Sequence, residues 1–149
     1  MSERAKELLY EEDVEAFNVW RRENPDEAIV LDGEDMAGLD LSGAWLMGVS
    51  MRGTNFAHAR LIHTIFSGAV LDGADLHAAD LTEACFGPPR LIEADLLDSP
   101  LGQSTLKGAS CKGTNFELAM LTGTDFRESD LTQADFTRSN HADASFDAA

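Results

Sequence analysis

The sequence predicts an all-β solenoid, a chain that winds into a rod by bending inward at short, equal intervals. Three observations carry that expectation. A large apolar residue recurs at every fifth position, from Leu31 through Leu46, Phe66 and Leu81 to Phe126 and Phe146, in one unbroken phase in which only His141 is plainly polar. Two residues before each, from Ala44 to Ala144, stands only Ala, Ser, Thr, Val or Pro. Two residues after it glycine recurs, at Gly33, Gly38, Gly43, Gly48, Gly53, Gly68, Gly73, Gly108, Gly113 and Gly123. On a helix a step of five advances about 500° and scatters the large residues. On a straight strand an odd step alternates them between faces. A large inward residue, a small inward residue and a permissive bend residue are what a tightly wound coil requires.

Residues 1–28 stand apart from this pattern. They lack the period of five, but Leu9, Val14, Ala16, Phe17 and Trp20 form a helical stripe. Asn24-Pro25 ends it, because a residue before proline is pushed out of helical geometry. The expected division is an N-terminal helical cap over 1–28 and a solenoid over 29–149, since an open solenoid end exposes edges that invite pairing. Within the solenoid, GPPR (87–90) and SPL (99–101) mark the least regular coil, where Pro89 and Pro100 each lack a ladder donor. A bulge or displaced loop is expected there. The phase of five survives it, so the loop is expected to be short.

The repeats ADL at 74–76 and 79–81, TNF at 54–56 and 114–116, TDF at 124–126 and ADF at 134–136 fit the motif A(D/N)LXX. By them the sequence resembles the pentapeptide-repeat family over roughly residues 29–148. The resemblance implies a right-handed quadrilateral parallel β-helix with four repeats to a coil. At about 20 residues per coil this makes about six coils, and at ~4.8 Å per rung a rod about 29 Å long. It further implies that some acidic members mimic duplex DNA and protect gyrase or another type II topoisomerase.

Composition narrows the function classes. The 149 residues include 11 basic and 27 acidic side chains, a net charge of −16. Such a chain should avoid nucleic acid and anionic membranes and attract basic partners. No apolar run approaches a membrane span and the charged start is unlike a signal peptide, so a cytoplasmic protein is expected. Cys111 takes an inward position and Cys85 an outward one on another side, which disfavours a disulfide. His58 and His77 fall on one side in adjacent coils and read as surface neighbours rather than a metal site. A core filled by Leu, Phe and Ala leaves no substrate pocket, and no nucleophile–base pair or phosphate-cradling loop can be proposed. The expectation is a protein with no catalytic residues, no cofactor and no metal.

Binding remains, and three surfaces are candidates. Asp35, Asp75, Asp95 and Asp135, with Asn55 and Asn115 between them, form an acidic column, although Asp and Asn here also serve turn chemistry. Over residues 27–149, 19 acidic and 7 basic side chains leave −12, one net charge per ~2.4 Å of rod against one per ~1.7 Å of duplex DNA. Trp45, Met47, Ile62 and Ile65 gather at one outward corner, as an exposed partner site or as the seat of the N-terminal helix. Phe136 and Phe146 lie at an end with nothing evident to cover them, which points to end-to-end association into a homodimer. The favoured function is a binding module that blocks a basic-surfaced, DNA-handling enzyme, best of all an immunity protein against a nuclease toxin. The alternatives are gyrase protection by DNA mimicry, and a scaffold docking through the apolar corner.

Overall fold

The structure, a computed structural model, describes residues 2–88 and 108–149. Residues 30–88 and 108–149 form a square-sided coil whose sides are joined rung to rung by parallel bridges. Four bridge columns run along the rod: Val30–Ser50–Val70–Ser110–Asp130, Asp35–Asn55–Asp75–Asn115–Asp135, Asp40–Arg60–Asp80–Met120–Asn140 and Trp45–Ile65–Cys85–Asp125–Ser145. Each side is too short to hold more than one bridging residue per rung, because the chain turns a corner every five residues. Each corner is closed by a bond from the small residue back to the large one, as from Ala44 N to Leu41 O at 3.1 Å. The residue in the middle of the corner needs positive φ, which Gly43 adopts at 78° without a Cβ penalty.

The large residues fill the interior as the period of five requires. Phe56, Phe66, Phe86, Phe116 and Phe126 are fully buried, with leucine or methionine at the other large positions of the first coils. Phe66 stacks on Phe86 at 4.6 Å, Phe86 on Phe126 at 4.7 Å and Phe126 on Phe146 at 5.3 Å. The small inward position has a second role where it is threonine. Thr54 Oγ1 donates to Leu31 O and Thr64 Oγ1 to Leu41 O of the coil below, so neither hydroxyl is buried without a partner.

The count of coils differs from expectation, and the difference is physical. From rung to rung the bridging partners are 20 residues apart, except in the step from Val70, Asp75, Asp80 and Cys85 to Ser110, Asn115, Met120 and Asp125, where they are 40 apart. Thr114 and Thr124 donate to Leu71 O and Leu81 O across 43 residues, where Thr54 and Thr64 span 23. Ala109 N bonds Phe86 O at 2.7 Å, the corner bond that Ala69 N makes to Phe66 O at 2.8 Å. The described residues therefore build five rungs rather than six, about 24 Å of rod. The interruption between Gly87 and Gly108 is twenty residues long, not short. An insertion of four whole repeats returns the chain to the same side of the square in the same phase, so periodicity does not register it. Pro89, Pro100 and Asp95 lie outside the described residues.

The N-terminal segment forms two helices rather than one, α1 (Ser2–Tyr10) and α2 (Val14–Glu23). Glu12 takes φ 56°, and Asp13 then caps α2 by accepting from Ala16 N at 3.0 Å. Asn24 ends α2 as the proline after it dictates. Ala5, Leu8, Leu9 and Phe17 join the same buried cluster as Ile29, Leu31 and Leu41. Polar side chains complete the closure. In the second coil Arg60 N and Ile65 N donate to Leu39 O and Ala44 O beneath them. In the first coil nothing lies beneath, and Glu12 accepts from Asp40 N at 2.6 Å while Asn18 accepts from Trp45 N at 2.9 Å. The helices thus cover the apolar end and occupy its open backbone edge.

Candidate partner-binding surface

The Asp35 column is organised by turn chemistry first. Asp35, Asn55, Asp75, Asn115 and Asp135 each accept, through Oδ1, the backbone N–H two residues ahead. This is the Asx turn that favours Asp and Asn at the site whatever the protein binds. Along the column the two types alternate, and the amides join neighbouring rungs: Asn55 Nδ2 donates to Asp35 at 3.0 Å and Asn115 Nδ2 to Asp75 at 3.2 Å. Two carboxylates a rung apart would repel, so alternation removes that cost. It holds because Asp75 pairs with Asn115. The turn bonds of Asp75 and Asp135 both fall on Oδ1.

Neighbouring columns repeat the device. Asp32 accepts from Ser50 Oγ at 2.7 Å and Arg52 N at 2.8 Å; Asp72 accepts from Ser110 Oγ at 2.6 Å and Lys112 N at 3.1 Å. Hydrogen bonds from Ser50, Ser42, Thr132 and Thr137 hold Asp32, Asp40, Asp130 and Asp135 below the usual carboxylate range. Lys6, and then Tyr10, do the same for Glu34, and the hydrogen bond to Glu34, with burial, in turn pushes the Tyr10 phenol up to about 12. The acidity is a fixed lattice of anions. A few exposed pairs offset it, such as Arg60 with Asp40 at 2.9 Å.

The apolar corner is not an open patch. Met47 and Ile65 are only 1% and 6% exposed and form a small second cluster with buried Cys85, against which half-buried Trp45 packs. Ile62 is half-buried and outside that cluster. Helix α2 holds the corner: Asn18 bonds Gly43 O as well as Trp45 N, and buried Arg21 donates to Met47 O at 2.7 Å and Glu27 O at 3.3 Å. The intramolecular reading of this corner is the one the geometry takes. The sequence did not reveal the polar latches; the mixture of Asn18 and Arg21 with the apolar stripe of α2 was their only signal.

The other end of the rod is open. Phe136 is half-buried and Phe146 is 37% exposed, each stacked on the phenylalanine one rung down. His141 occupies an inward position of this last coil and is exposed. His58 and His77 meet edge to face at 5.6 Å. Among the described residues no group of three or more His, Cys, Asp or Glu is placed to hold a metal ion. Cys85 and Cys111 are both buried, and burial pushes the Cys111 thiol up. No described helix is long and apolar enough to cross a membrane.

Periodicity gave no hint of Leu118 and Met120. Both point outward and stand 43% and 48% exposed. The available signal was a large apolar residue at outward positions of the repeat, two residues apart.

Comparison with known proteins agrees with this architecture. The family model for pentapeptide repeats matches eight copies over residues 50–87 and 101–138, together half of the chain. No curated protein matches the sequence. Among solved structures, a pentapeptide repeat protein from the Arabidopsis thaliana thylakoid lumen is 25% identical with a TM-score of 0.34, covering 76% of this chain and 66% of its own. QnrB1, a plasmid-mediated fluoroquinolone resistance protein, is 18% identical with a TM-score of 0.41, covering 82% and 64%. The pentapeptide repeat protein Rfr23 of the cyanobacterium Cyanothece 51142 is 17% identical with a TM-score of 0.29, covering 89% and 95%. The chain thus spans just under two thirds of the length of the first two.

Proposed function

This chain belongs to the pentapeptide-repeat family, and on that fold and its charge we propose that it is a non-catalytic binding module that occupies the basic DNA-binding surface of a DNA-handling enzyme. The observation that carries the reading is the density and rigidity of negative charge. Residues 27–88 and 108–149 hold 16 acidic and 5 basic side chains, a net −11. Over five rungs that is about one charge per ~2.2 Å, near the one per ~1.7 Å of duplex DNA. The carboxylates are held by short turn bonds and need little reordering to meet a positive cleft, which favours both rate and specificity.

Within this reading the protein is best understood as an immunity protein that neutralises a nuclease toxin in the cytoplasm. Five rungs span about seven base pairs at 3.4 Å each, enough to fill the cleft of a small nuclease. Protection of gyrase by a longer mimic requires more length, which pairing of two rods through the open end at Phe136 and Phe146 would supply. The scaffold reading loses the surface it needed, since Met47 and Ile65 are covered. The test is the association kinetics with a nuclease encoded beside this chain. Reversing charge at Asp75 should chiefly slow association and flatten its dependence on salt. A rate indifferent to both salt and Asp75→Lys would remove electrostatic docking from the account.

A further inference from the structure

One edge of the rod carries more side chains than any other at the positive-φ position where the fold favours glycine. At the corner before the Asp35 column the positive-φ residues are Gly33, Gly53, Gly73, Gly113 and only then Gln133. At the next corner, between the Asp35 and Asp40 columns, glycine appears only at Gly38, and His58, Ala78, Leu118 and Arg138 follow with φ of 61°, 53°, 59° and 57°. Left-handed backbone is unfavourable for residues with a Cβ, and most of all for bulky apolar ones. Leu118 is the one large apolar side chain among the described non-glycine residues at positive φ. It gains little in return within the chain, because it is 43% exposed, and Met120 beside it is 48% exposed. The other exposed large apolar residues described stand apart from these two: Tyr10 ends α1, Val19 lies on α2, Val30 opens the first coil and Phe146 lies in the last. Persistent strain of this kind marks a surface kept for contact rather than for stability.

The surroundings say what chemistry fits. Asp75 and Asp135 flank this edge on one side, and Asp80 on the other, each accepting its own turn bond through Oδ1. Glu117 precedes Leu118 directly and lies 3.8 Å from His77. Leu118 and Met120 are thus an apolar spot bordered by Asp75, Asp80, Asp135 and Glu117, with Arg138 one rung above Leu118 on the same edge, diagonally across the rod from the interruption at Gly87 and Gly108.

Resting on the reading above that the partner is basic, we propose that this edge is the anchor of the interface, and that the partner presents an apolar side chain flanked by lysine or arginine. Leu118 and Met120 receive the apolar group while Asp75, Asp80 and Asp135 meet the cations, the arrangement of a desolvated centre within a charged rim.

Methyl NMR on the full chain tests this with two peptides of equal charge, one alternating leucine and lysine, the other lysine alone. The alternating peptide should shift Leu118 and Met120 methyl signals before those of Val19, Val30 or Leu131, and bind at least tenfold more tightly than oligolysine. Leu118→Asn should abolish most of that tenfold advantage without lowering the melting temperature, since asparagine tolerates positive φ. Equal affinity for the two peptides, or an advantage that survives Leu118→Asn, would overturn the anchor while leaving the basic-partner reading intact. Absence of binding to either peptide at low salt would overturn both.

Discussion

If Asp75 and Asn115 occupy neighbouring rungs, cysteines placed there will close a disulfide. Parallel neighbours lie about 4.8 Å apart, inside the 4.4–6.8 Å span of Cα atoms that a disulfide bridges. Were a further rung seated between them, the distance would be about 9.6 Å and no bond could form. Closing a loop of some 40 residues removes unfolded-state entropy worth about 4 kcal/mol in the chain-entropy model, less any strain. At roughly 2–4 °C per kcal/mol for a chain of this size, the oxidised Asp75→Cys/Asn115→Cys variant should melt about 8–16 °C above its reduced form. The native thiols should not interfere, since Cys85 and Cys111 are buried and the Cys111 thiol resists ionisation. Thiol titration, non-reducing electrophoresis and paired melts read the outcome. Free thiols in this variant, together with ready closure of Asp75→Cys/Asp95→Cys, would refute the five-rung register.

Three further outcomes follow from the same geometry. Gly87→Ala would set a Cβ 2.7 Å from Arg127 O and 3.0 Å from Asp125 Oδ1, so urea denaturation should show a loss of about 1–3 kcal/mol, and no loss would place Gly87 elsewhere. Phe86→Ala removes a fully buried ring stacked on both Phe66 and Phe126 and should cost roughly 3–5 kcal/mol in the same assay. Asp32, Asp40, Asp130 and Asp135 have carboxyls lowered in the folded chain, so their contribution is complete above the unfolded value near pH 4 and is lost as pH falls through the lower folded values. Melting temperature should therefore hold from neutral pH to about 5 and fall below about 4; a rise there would reverse the sign of the argument.

The coil itself was legible because each repeat repeats one physical demand: Leu46, Phe66 and Phe126 must all face one axis, and a period of five allows only a chain that bends inward. The number of coils was not, because an insertion of four repeats is invisible to phase. Its trace was local, in Pro89 and Pro100, each without a ladder donor. The break between α1 and α2 was hidden in a stripe that continues across it, although Asp13 is a good cap. The acidic column was legible as a column, and its turn bonds were anticipated, but its alternation depends on which rungs meet. Trp45 and Met47 read as outward, and they are; that α2 covers Met47 is a tertiary fact no repeat position encodes. Leu118 escaped because its significance lies in backbone conformation rather than residue type.

The central claim is that this acidic rod takes the place of DNA on a basic surface. Its most direct test uses a nuclease encoded beside this chain, bound to a labelled short duplex and titrated with the whole protein while anisotropy and cleavage are followed together. The account predicts that DNA is released as the protein binds, that cleavage stops at one protein per site, and that raising salt weakens both effects in parallel. A ternary complex in which the protein is bound while the duplex remains held and cut would contradict it.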